Sequence, residues 1–137
     1  MHEPDPTAAT IAARIEDLYG QPLGVLEAHS AAAPHNSMLT ALIGSLTDLQ
    51  LAERSITFHR DRLLQLAHPE RSIGCFDAGH LLDNARRISE AVAVRDALAK
   101  TLSAALQSLH RVPAPATETP PAVPAPPPLP VPSAPTR

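Results

Sequence analysis

The sequence predicts an all-α protein: a long antiparallel, coiled-coil-like helical hairpin, with a short helix before it and a disordered Pro-rich tail after it. Three observations carry this prediction. Of 137 residues, 44% are hydrophobic but only 2% are aromatic, so the apolar content is mostly Ala and Leu, which favour helix over strand. Two long stretches repeat apolar residues in steps of three and four, the spacing of a coiled-coil seam. From Pro113 onward, 11 of the last 25 residues are proline. Proline fixes φ and lacks an N–H, so neither helix nor sheet runs through Pro120-Pro121 or Pro126-Pro127-Pro128.

These signals divide the chain into an N-terminal short helix and linker (1–36), the hairpin (37–111) and the Pro/Ala-rich tail (112–137). The first helix spans about 7–19, with Asp5 or Thr7 as its cap; Ile11, Ile15 and Leu18 share one face, and Gly20 and Pro22 stop it. Residues 22–29 suit one or two further turns, and Ser30 to Asn36 read as a linker. The first hairpin helix runs from Ser37 to Ala67, capped by Asn36 or Ser37 and stopped by Pro69. The second spans 77–110, after a connection through Gly74.

The first seam reads Leu39, Leu42, Leu46, Leu49, Glu53, Ile56, Arg60, Leu63 and Ala67. The second reads Leu81, Ala85, Ile88, Val92, Arg95, Ala99, Leu102, Leu106 and Leu109. Folding the chain back around residues 73–75 sets Glu53 against Arg95, the expected register pair, because two charges desolvated together cost less than either alone. Other apolar residues fall outside the seams: Leu51, Phe58 and Leu66 on the first helix, and Leu82, Ala91, Val94 and Leu98 on the second. One short helix cannot cover a hairpin about 45–50 Å long. The expectation is therefore a homodimer forming a four-helix bundle, with Leu51, Phe58 and Leu66 as partner-interface residues.

Searching the sequence for chemistry turns up little. It holds no HExxH, no paired ExxH, and neither of the glycine-rich phosphate loops. The single cysteine excludes an intrachain disulfide. His68, Cys75, Asp77 and His80 cluster near the hairpin tip, but a zinc ion needs about four ligands in fixed geometry. Asp77 as a helix cap and solvated histidines explain the same residues, so no metal, cofactor or catalytic residue is assigned. Across residues 54–90, six arginines face five acids, which is too balanced for strong phosphate attraction.

No apolar run reaches the length of a membrane span, and the N-terminus lacks the regions of a signal peptide. Ten arginines against one lysine, with 24 alanines, suit a GC-rich bacterial genome and a cytoplasmic protein. The function expected is a non-enzymatic, self-associating interaction or scaffold protein, with an unidentified protein partner and the tail as spacer or docking arm. The alternative is a small DNA-associated accessory or regulatory protein of a bacterial mobile element, binding through Arg60, Arg62, Arg86 and Arg87.

Overall fold

The computed structural model describes residues 7–32 and 37–109. All the regular structure among them is helical, in four helices: α1 (Ala8–Tyr19), α2 (Leu23–Ala32), α3 (Met38–Leu66) and α4 (Cys75–Ser108). The Pro-rich segment 112–137 and most of the expected linker lie outside the described residues.

Side chains written into the sequence set the helix ends. Thr7 caps α1 by accepting from the Thr10 N–H, and Ser37 caps α3 by accepting from the Thr40 N–H. Gly20 ends α1 in the left-handed conformation (φ 66°), and its N–H returns to the Glu16 carbonyl at 2.7 Å. The Glu16 carboxylate then accepts the Leu23 N–H at 2.6 Å, meeting a donor that the first turn of α2 leaves unpaired. α2 runs on to Ala32, so Ser30, Ala31 and Ala32 are helical and not linker. Two consecutive alanines favour that continuation.

Pro69 stops α3, and the chain reverses between Ala67 and Gly74, with the Arg71 N–H bonded to the His68 carbonyl at 2.9 Å. α4 starts at Cys75, two residues before the expected start, because Asp77 reaches back to the Gly74 N–H at 3.0 Å. α3 and α4 therefore form an antiparallel hairpin, about 43 and 51 Å long at 1.5 Å per residue. No described helix is long and apolar enough to cross a membrane.

The hairpin has two halves. In the open half, which we call the base, α1 lies against both long helices. Ile11 and Ile15 are wholly buried among Leu42, Ile43, Leu46, Leu49, Ala99, Leu102 and Leu106, and Leu26 of α2 joins them. In the half towards the 67–74 turn, the tip, α3 and α4 pack without a third helix. Its seam runs through Ala52, Leu66 and Ala91, all buried, with Ile56, Leu63, Leu81 and Ile88 half-buried.

The register differs from the sequence expectation. His59 Nδ1 lies 2.9 Å from Asn84 Oδ1, so facing residue numbers sum to 143 at this level. Folding back around 73–75 predicts a sum near 148. The tip seam follows Ala52, Ile56, His59, Leu63 and Leu66 on α3 and Leu81, Asn84, Ile88 and Ala91 on α4, so Asn84 takes the place expected for Ala85, which is exposed; Arg60 and Ala67 are also exposed. The expected Glu53–Arg95 pair does not form. Glu53 accepts the Ala8 N–H at 2.8 Å, at the start of α1, and Arg95 pairs with its neighbour Asp96 at 2.7 Å. A carboxylate at a helix N-terminus satisfies an orphan donor and the helix dipole together, so Glu53 needs no cation.

Candidate functional site

A half-buried polar layer crosses the tip. The Asn84 Nδ2 donates to the His80 carbonyl at 2.7 Å, which fixes the amide orientation and leaves Oδ1 as acceptor towards His59. His59 Nδ1 is therefore the protonated nitrogen of this contact. The Phe58 ring stands edge-on to the His59 ring at 5.1 Å between centroids. Both Asn84 groups are satisfied although the residue is buried, so the layer holds α3 and α4 in one alignment as a polar core position does in a coiled coil.

Beside this layer an open groove of about 600 Å³ runs between α3 and α4. Leu51, Ala52, Ala91, Val94 and Leu98 supply its apolar walls, with Asp48, Ser55, His59, Arg87 and Glu90 around them. No residue of α1 or α2 lines it. α1 meets the hairpin from the Glu53 side, so the base is covered on one face and the groove face is left open.

Leu51 is 58% exposed and Phe58 65%, and both lie along this face with Val94. Leu66 differs: it is 1% exposed and belongs to the α3–α4 seam, which withdraws it from any partner interface. The α3 seam in the tip steps through Ala52, His59 and Leu66 where the sequence expectation has Glu53, Arg60 and Ala67, so Ala67 is exposed and Leu66 is buried.

The four arginines of the nucleic-acid alternative are all exposed, with Arg60 apart from the other three. Arg87 lines the groove and is held by Asp83 at 3.0 Å; this bond holds the Asp83 carboxyl below its ordinary range and raises Arg87. Arg62 follows Ser55 by seven residues and so shares the groove face, where it donates to Gln65 at 3.4 Å. Arg60 follows Glu53 by seven and lies along the opposite edge. Arg86 precedes the groove-lining Glu90 by four residues and so lies at the edge of the groove face, outside its lining.

At the tip, the four candidate metal ligands have separate roles. Asp77 accepts from Gly74 and from Arg71, the latter at 3.2 Å; the Gly74 bond first, then Arg71, holds its carboxyl below the ordinary aspartate value. Cys75 is exposed, the His68 ring accepts the Glu70 N–H, and His80, also exposed, gives its backbone carbonyl to Asn84. Among the described residues no three His, Cys, Asp or Glu gather at metal-binding distance.

The sequence reading singled out Leu51 and Phe58 but missed the groove and the His59–Asn84 layer. From sequence His59 reads as a surface or subunit-contact residue and Asn84 as one possible partner of Arg60, because nothing local marks either as half of a pair between α3 and α4. No protein-family model, curated protein or solved structure matches the chain.

Proposed function

We propose that this protein is a non-enzymatic helical interaction module that works by self-association, its open groove face joining two hairpins into a bundle of four long helices. The observation that carries this reading is the exposed apolar face itself: Leu51, Phe58 and Val94 stand in solvent beside a groove walled by Ala and Leu. Apolar exposure gathered on one face of a packed molecule marks a contact surface, whereas scattered exposure does not. The helical hairpin supplies contact area and a fixed alignment, which suits a scaffold. The Pro-rich segment 112–137 serves as a spacer or docking arm on this scaffold.

Sedimentation of the full chain over a range of concentrations tests the reading. The expected result is a dimer that Val94→Glu or Leu51→Glu dissociates while far-ultraviolet circular dichroism stays unchanged. A monomer at all concentrations up to about 100 μM, a range that still detects weak association, would overturn it. Salt-sensitive retention on DNA would move the assignment to the arginines.

A further inference from the structure

The charge order along the groove points to the geometry of the second copy. We propose that two hairpins pack antiparallel across the groove about a two-fold axis beside Ser55, so that Asp48 of each copy meets Arg62 of the other and Arg87 meets Glu90. This inference rests on the self-association reading and adds the orientation and register.

Two helices carry the pattern independently. On α3, Asp48, Leu51 and Ser55 line the groove with Ala52 and His59, and Phe58 and Arg62 follow Leu51 and Ser55 by seven residues on the same stripe, so that an acid and a base flank two large apolar residues and a central serine. Reversing this stripe about Ser55 lays Asp48 on Arg62, Leu51 on Phe58 and Ser55 on itself. On α4, the pair that reverses onto itself is Arg87 with Glu90, centred between residues 88 and 89. The His59–Asn84 contact puts Ser55 level with residue 88. The axis required by the α3 charges is therefore the axis required by the α4 charges. An isologous two-fold contact needs this self-complementarity, in which residue i meets j and j meets i.

The groove also needs something to fill it. Phe58 is exposed and stands outside the walls of its own groove. In the antiparallel pairing, Phe58 of the second copy arrives at the level of Leu51, over the apolar walls formed by Ala91 and Val94. Pairing the hairpins with both bases at the same end has a different outcome. At the same register Asp48 would then come level with residue 95, beside the groove-lining Val94, where Arg95 stands outside the lining and is already held by Asp96. Phe58 would come near Arg87, leaving the apolar stretch of the groove without an aromatic. Opposite charges across a contact fix its register and suppress wrong arrangements.

Charge exchange in the full chain tests the geometry. Asp48→Arg and Arg62→Asp, each alone, should weaken dimerisation on the order of 10- to 100-fold through like-charge contact. Mixing the two variants should restore the native affinity, since every exchanged residue then meets its opposite, and the double variant should restore it within one species. In a Cys75→Ser chain, Ser55→Cys should give a disulfide-linked dimer under mild oxidation. A native chain that is dimeric but indifferent to the exchanges, or whose Ser55→Cys variant does not cross-link, overturns the antiparallel register while leaving self-association standing. A monomeric native chain overturns both. Unchanged helicity of each variant separates lost contact from lost fold.

Discussion

The base and the tip of the hairpin are built from the same two helices, yet they solve the packing problem differently. At the base a third helix covers one face, and five side chains central to its core, Ile11, Ile15, Leu46, Leu49 and Leu102, are at most 2% exposed. At the tip no third helix is present, and Phe58, Leu64, Ile73, Phe76 and Leu82 are all more than half exposed. Two helices bury one stripe each, so the tip has fewer places to hide an apolar side chain. What it has instead is a polar layer, His59 with Asn84, that constrains alignment more than it adds burial. The base supplies stability and the tip supplies register.

Truncations should separate the two halves most strongly. Ile15→Ala or Leu46→Ala removes a wholly buried side chain and should cost about 2–5 kcal/mol in urea unfolding. Ile88→Ala, half-buried in the tip, should cost about half as much. Equal losses would dissolve the distinction. The polar layer comes next. Asn84→Ala strands the His59 Nδ1–H and should cost about 1–3 kcal/mol. Asn84→Leu should recover much of that stability but loosen alignment, seen as broadened amide resonances in the tip and sharp ones in the base.

Glu53→Ala removes the acceptor of the Ala8 N–H and should cost about 1 kcal/mol. Its signature is faster amide exchange confined to α1. Exchange that rises equally in the tip would show that α1 supports the whole rod. The smallest effect is acid dependence at the tip. Asp77 and Asp83 titrate below the ordinary 3.8 of an aspartate, held by Gly74 and Arg71 and by Arg87 respectively. A carboxyl whose value is lower when folded stabilises the fold above its unfolded value, and that contribution disappears as pH falls through the lowered one. The unfolding midpoint should therefore drop as pH falls below about 4, and an Asp77→Asn, Asp83→Asn chain should show a shallower drop.

The all-helical class, the four breakpoints and the long hairpin were legible because each has a local cause: Thr7 and Ser37 as caps, Gly20 and Pro69 as stops, and a three-four apolar step between them. Register was not legible in the same way. α4 carries Asn84 and Ala85 side by side, and either completes a plausible seam; the choice depends on the path of residues 67–74 and on Asp77 drawing Gly74 into the cap. Glu53 was correctly marked as an anomaly in an apolar stripe, but its partner is a backbone N–H of another helix, and no side-chain pattern advertises that. Likewise, apolar residues flank both sides of the hairpin seam, so the sequence shows that one side needs a cover without showing which side α1 takes.

The levels at which the chain joins and leaves the rod have one more consequence. Thr7 sits beside Glu53, near mid-height, while Leu109 packs at the foot with the base core. Under the two-fold arrangement proposed above, the two Leu109 positions point to opposite poles, about 60 Å apart at 1.5 Å per helical residue. The two copies of segment 110–137 would then start from opposite ends, so if they serve as the docking arms proposed above, one assembly would hold two targets well apart.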